Sequence, residues 1–148
     1  MKDFIYRNDT KLFFRNNIQE TILNVAKGHK VMFVYGNGSV KRNGCHNDIV
    51  QALTEARIPF VEYGESSREF AKIQEGIRLA KANGVTMIVG VGGASVMDSA
   101  KLMAFGFCHE ADLWDYVKGK DPYGLERFPL TLIPSYPSSV SENGLGEV

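Results

Sequence analysis

A short apolar run, Val85 to Val89, passes without interruption into Gly90-Val91-Gly92-Gly93-Ala94-Ser95-Val96-Met97-Asp98-Ser99-Ala100-Lys101. A strand that feeds a glycine-rich turn and then a helix is the layout of a phosphate cradle. Glycines let the backbone come close to a pyrophosphate, while the N–H groups and positive end of the following helix supply charge complementarity. Ser95 is expected to cap that helix, with Asp98 three positions on as its reciprocal partner. Gly90 and Gly92 match the first two positions of a dinucleotide fingerprint, and Ser95 occupies the third. An ordinary capped strand-to-helix turn would use the same residues.

The rest of the chain repeats this alternation. Val31 to Tyr35, Ile58 to Tyr63, Val85 to Val89 and Phe128 to Ile133 are predicted strands, rich in β-branched and aromatic residues and followed by Gly, Ser or Pro. Helical spacing links Ile18, Ile22, Val25 and Ala26, then Cys45, Ile49, Ala52, Leu53 and Ala56. It recurs in Phe70, Ile73, Ile77 and Ala80, and in Val96, Ala100, Met103, Ala104 and Phe107. Near-continuous apolar strands imply burial on both faces, and strand–helix alternation implies right-handed crossovers over a parallel sheet. The expected fold is a doubly wound, Rossmann-like α/β domain. The 148 residues suit one such domain, burying roughly 68–70% of the surface of the unfolded chain. A short helix is expected at 112–117 and a surface loop from Lys118 to Arg127, while Phe4 to Phe14 suits a two-stranded ribbon turning near Asn8-Asp9.

Ligands on such sheets sit outside the carboxyl ends of the strands, where Gly36-Asn37-Gly38-Ser39 and Gly90 to Ser95 both fall. A carboxylate in the first loop would accept from the ribose 2′-OH of NAD, but this loop has none. A hydroxyl, free N–H groups and the nearby Lys41 and Arg42 suit the 2′-phosphate of NADP instead. The same residues also make an unremarkable Gly-Asn-Gly turn with solvated basic side chains. For Asp98, helix capping alone is the competing reading, and for Lys101 a solvated helix charge.

Seventeen basic residues balance seventeen acidic ones, so no electrostatic footprint for nucleic acid exists and none for an acidic membrane surface. No run approaches the ~20 apolar residues of a membrane span, and the amino terminus has no signal-peptide core. A cytoplasmic protein with free thiols at Cys45 and Cys108 is expected. His29, His46 and His109 show no H-x-x-x-H or H-E-x-x-H spacing, so each is expected to be a surface or turn residue rather than a metal ligand. Gly-x-Ser-x-Gly is absent, which leaves a serine nucleophile unsupported.

Gly92 to Lys101 resembles the Gly-Gly-Gly-Ser-x-x-Asp-x-Ala-Lys signature of the iron-containing alcohol dehydrogenase family, with Ala94 for the third glycine. Val34 to Lys41 is similar to the first cofactor loop of its NADP-dependent butanol dehydrogenase and aldehyde reductase branch. Ile133 to Glu142 falls where that family has Ile-Pro-Thr-Thr-Ala-Gly-Thr-Gly-Ser-Glu, with Pro137 and Ser138 replacing the central Ala-Gly. The resemblance implies the amino-terminal half of a dehydroquinate synthase-like fold. It implies NADP, with NAD as the alternative, held by Gly36, Asn37, Gly38 and Ser39 at the adenosine end. Gly92, Gly93, Ala94 and Ser95 would take the pyrophosphate, Asp98 would lie near the nicotinamide as a catalytic candidate, and Thr131, Ser135 and Ser139 would line the adenine and ribose.

A small alcohol or aldehyde would be the substrate, and Phe4 to Phe14 would pair across a homodimer. In the family, one Asp and three His of a helical carboxy-terminal domain hold Fe or Zn. The chain stops at Val148 before any such residues, and Pro134 to Gly146 is followed by no periodic element, so residues 1–148 are expected to be a truncated nucleotide-binding domain, inactive alone. Two other readings keep the fold: an NAD-dependent glycerol dehydrogenase or dehydroquinate synthase-like lyase, and a non-catalytic dinucleotide-binding module.

Overall fold

The computed structural model describes residues 10–14, 17–110, 113–118, 126 and 128–135. Their elements alternate as expected: α1 (Ile18–Ala26), β1 (Val31–Tyr35), α2 (Ser39–Arg42), α3 (Cys45–Glu55), β2 (Phe60–Tyr63), α4 (Phe70–Ala82), β3 (Met87–Gly92), α5 (Ala94–His109), α6 (Leu113–Val117) and β4 (Leu130–Pro134). All strand pairs are parallel, in the order β2-β1-β3-β4. The chain runs outward from β1 to β2, then crosses back over β1 to reach β3. The sheet therefore reverses its winding between β1 and β3, where a doubly wound fold opens its ligand crevice.

Every residue of β1 and β3 is buried, as strands covered on both faces require. Val31, Phe33 and Tyr35 pack beneath α1 and α3 with Ile22, Ile49 and Leu53, whereas Met32 and Val34 join Ile73, Ile77, Ala100 and Met103 beneath α4 and α5. Helix starts follow local chemistry. Asn17 Oδ1 accepts from the Glu20 N–H at 3.0 Å to open α1, and Asn43 Oδ1 accepts from the Cys45 N–H at 3.1 Å ahead of α3. Gly44 turns between α2 and α3 at φ 84°, a left-handed conformation that glycine adopts without penalty.

β1 has the predicted bounds, and the other strands begin two residues later than predicted. β3 also runs on through Gly92, because Val91 pairs with Tyr35 and Ile133, and Gly92 with Pro134. The turn after β1 closes sooner than the sequence suggested, as the four-residue α2. Only Thr10 to Phe14 of the predicted amino-terminal ribbon is described, and it contains no strand; Leu12 and Phe14 stand exposed. Most of the predicted 118–127 loop lies outside the described residues. Among the described residues no helix is long and apolar enough to cross a membrane. Cys45 and Cys108 are free, and burial, with the nearby carboxylates of Asp48 and Glu126 respectively, pushes both thiols up from their ordinary value.

Glycines set the distance between α5 and its neighbours. A Cβ on Gly90 would stand 2.7 Å from the Ala100 Cβ and 3.1 Å from Leu132, and one on Gly76 of α4 would stand 2.6 Å from the Met103 sulfur. Overpacking of this kind costs about 1–3 kcal/mol, so Gly90→Ala should destabilise the domain by about that much in urea unfolding. Ala100→Gly, itself unfavourable by about 1 kcal/mol in a helix, should recover part of the loss in the double variant. Simple additivity of the two substitutions would show that Gly90 does not set this contact.

Candidate functional site: a crevice at the β1–β3 switch

Two turns flank the crevice. The first, residues 36–39, leaves β1 toward α2; the second, residues 92–95, leaves β3 toward α5. They lie close together, since a Cβ on Gly36 would meet Val96 Cγ2 at 3.1 Å. Gly92 has φ 157° and its Cβ position is 2.9 Å from the same Val96 methyl, so a side chain there is excluded twice. Gly93, by contrast, is ordinary extended backbone at φ −85°. The conformational demand thus falls on Gly92, the second fingerprint glycine, and not on Gly93.

Ser95 does not cap α5. Because β3 extends through Gly92, Gly93 takes the cap position, with its carbonyl accepting from Val96 and Met97 N–H at 3.1 Å each. Ser95 is exposed in the first turn, and Asp98 completes no capping box. Asp98 is instead buried, 6% exposed, with Oδ2 2.8 Å from the Arg68 guanidinium and Oδ1 3.5 Å from Lys101 Nζ. Lys101, expected on a solvated face, is only 12% exposed at its side chain. Ser99 Oγ lies 2.7 Å from the Ser95 carbonyl and 2.8 Å from the Ser67 carbonyl and shares its proton between them. Arg68 and Ser67 thereby pin the β2–α4 connection onto α5.

Among the described residues, two buried hydroxyls near these turns have no hydrogen-bond partner: Ser66 Oγ and Ser135 Oγ. Their backbones are held at the strand ends, Ser66 N–H donating to the Tyr35 carbonyl at 3.0 Å and Ser135 N–H to the Gly92 carbonyl at 2.8 Å. An unpaired buried hydroxyl is costly, so each retains capacity for a ligand atom. Thr131 sits deeper. It pairs with Val89, three residues short of the Gly92–Pro134 pair, about 10 Å back from the rim. Ser139 lies outside the described residues.

In the first turn, Asn37 and Ser39 are exposed. Lys41 does not stand over the turn; its ammonium lies 5.3 Å from the Tyr35 ring centre. Arg42 folds back so that a Cβ on Gly38 would meet its Nη1 at 2.7 Å, with no carboxylate paired to it among the described residues. Tyr35 OH donates to Glu62 Oε2 at 2.8 Å, and His46 Nε2 lies 2.7 Å from the same oxygen. Burial raises the Glu62 pKa, but hydrogen bonds from His46 and Tyr35, with the charges of His46 and Lys41, hold it below the usual carboxylate range. Burial and the Glu62 carboxylate push the Tyr35 phenol up to about 12.

The remaining histidines serve local structure. His29 Nδ1 lies 3.1 Å from Thr86 Oγ1, and His109 Nε2 lies 3.0 Å from the Glu126 carbonyl. Among the described residues no three His, Cys, Asp or Glu side chains gather as a metal ion would need.

A parallel sheet that reverses its winding between two glycine turns defines a Rossmann-like α/β domain. The chain belongs to the iron-containing alcohol dehydrogenase family, whose family model matches residues 9–144. It is 33% identical over 147 residues to NADH-dependent butanol dehydrogenase A of Clostridium acetobutylicum, covering 96% of this chain and 37% of that protein. Identity to the NADPH-dependent aldehyde reductase YqhD of Escherichia coli is 24%, covering 100% of this chain and 39% of that one. The crystal structure of NADH-dependent butanol dehydrogenase A from Thermotoga maritima aligns with a TM-score of 0.73 at 37% identity, over 89% of this chain and 34% of that chain. The chain thus spans 37% and 39% of the two curated relatives.

Two substitutions test the electrostatics. Arg68→Ala should destabilise the domain by about 1–2 kcal/mol in urea, at the low end for a charge-assisted bond because the guanidinium is 44% exposed. No change would mean that Asp98 is satisfied without Arg68. Glu62 has a lowered folded pKa, so its contribution is present above the unfolded value of 4.5 and is lost as pH falls through the lower folded value. Stability of Glu62→Gln should therefore fall less steeply than wild type below pH 4.5, in unfolding titrations at stepped pH.

Proposed function

We propose that this chain is the dinucleotide-binding part of an oxidoreductase that interconverts alcohols and aldehydes by hydride transfer. The observation that carries the reading is the switch point: two glycine turns meet there, and the buried hydroxyls of Ser66 and Ser135, without a hydrogen-bond partner among the described residues, lie at the adjoining strand ends. A bound nicotinamide would supply the hydride chemistry. Gly92 and Gly93 would let the pyrophosphate reach the backbone, and the first N–H groups of α5, which have no intrahelical acceptor, would bond to it with Ala94 and Ser95. Asp98, held by Arg68 and Lys101, would fix the geometry of that turn near the nicotinamide. No described cluster suits the family's metal, so none of these residues is given the task of polarising the substrate oxygen.

The adenosine end supports NADP. The turn carries the Ser39 hydroxyl and the Arg42 guanidinium and no carboxylate, which suits a 2′-phosphate. NAD is the second reading, favoured by the relatives named as NADH-dependent at 32–34% identity. A homodimer through Phe4 to Phe14 belongs to the same proposal, supported by the exposure of Leu12 and Phe14, and a small alcohol or aldehyde is the substrate class.

Calorimetric titration with both cofactors separates the two. If NADP is preferred, Arg42→Ala should weaken it by about tenfold, the loss of one charge-assisted bond, and leave NAD within twofold. Ser39→Asp should weaken NADP and hold or strengthen NAD. A wild type that prefers NAD, or variants that weaken both equally, would overturn the assignment to the 2′-phosphate; absence of any dinucleotide binding would overturn the function itself.

A further inference from the structure

One carboxylate oxygen, Glu62 Oε2, accepts from Tyr35 OH at 2.8 Å and from His46 Nε2 at 2.7 Å. Tyr35 is the last residue before Gly36, and His46 is the second residue of α3. The segment between them is the adenosine-side turn together with α2, so both of its ends hang from a single atom on the edge strand β2. Further contacts fix the Tyr35 ring: it lies 4.9 Å from the Phe33 ring and 5.0 Å from the His46 ring between centres, and Lys41 stands over it. Gly64 leaves the ring its place, because a Cβ there would come within 3.0–3.1 Å of it. Between Tyr35 and Cys45, only Val40 is anchored in the core, at 0% exposure.

We propose that Glu62 is a positioning residue for the cofactor turn at residues 36–39, acting through Tyr35 and His46 and touching no cofactor atom. This rests on the dinucleotide reading above. Glu62 is half-exposed on an edge strand, where β2 itself has no need of a carboxylate; what the carboxylate does is close the bracket around the turn. Because both donors use the same oxygen, geometry rather than charge is the requirement. A neutral amide oxygen at this position can receive both.

The test compares Glu62→Ala, Glu62→Gln and Tyr35→Phe with the wild-type protein. In hydrogen exchange without ligand, Glu62→Ala should lose protection at the Arg42 and Asn43 amides, which donate to the Gly38 and Ser39 carbonyls, and Gln should restore it. In calorimetry, Glu62→Ala should weaken NAD and NADP alike by about fivefold, the worth of one ordinary hydrogen bond, with their ratio unchanged. Binding of nicotinamide mononucleotide should stay within twofold, and Gln should bind both dinucleotides as wild type does. Tyr35→Phe, which keeps the ring and removes one donor, should fall between and covers the case in which Ala does not fold. Unchanged exchange and affinity in Ala and Phe would overturn the proposal, as would equal weakening of the mononucleotide, which signals a general loss of structure. Failure of Gln to rescue would overturn the geometric account. If wild type binds no dinucleotide, the function falls, while the exchange data still decide whether Glu62 orders the turn.

Discussion

The close approach of α5 to β3 is the constraint on which the carboxyl edge of this domain depends. Gly90 has no side chain, so the Ala100 methyl can occupy the space where one would be, and α5 lies against the sheet along this line. That seating brings Val96 against Gly36 and Gly92, which closes the two turns on each other. It also carries Asp98, Ser99 and Lys101 inward, where a helix farther out would leave them in water. The ion pair to Arg68 and the bond to Ser67 are therefore consequences of packing, not separate additions to it.

Much of this was legible in the residues themselves. β1 is five apolar residues between polar flanks, and its bounds were recovered without error. The glycines after Val89 were harder, because glycine marks a turn by default and parallel pairing with β1 and β4 overrode that default through Gly92. The misassigned cap at Ser95 belongs to the same stretch: β3 runs three residues past Val89, to Gly92, and α5 starts at Ala94, so the cap position falls on Gly93. Thr131 entered the candidate site through the family resemblance, yet strand register alone sets how far it lies from the rim.

What stayed hidden was tertiary. Arg68 and Asp98 are thirty residues apart and nothing local marks them as partners. Nothing local marks Glu62 within its strand, and its two donors sit on different elements. Ser66 is an ordinary loop serine until burial removes its water. In each case the signal is a distance across the fold, which no window of neighbouring residues contains.

The strand order has a consequence for how the domain assembles as it is synthesised. β1 lies inside the sheet, but its second neighbour arrives late: Val31 pairs with Met87, a separation of 56 residues, since 87 − 31 = 56. β4 reaches β3 only through the whole of α5 and α6. Such non-local, all-parallel pairing is slow because loop closure precedes any reward in contacts. A nascent chain that has emerged only through Tyr63 can form one parallel pair, and it leaves one face of β1's hydrogen-bonding edge open until β3 follows. During that interval the unpaired edge of β1 is a template on which another strand can pair.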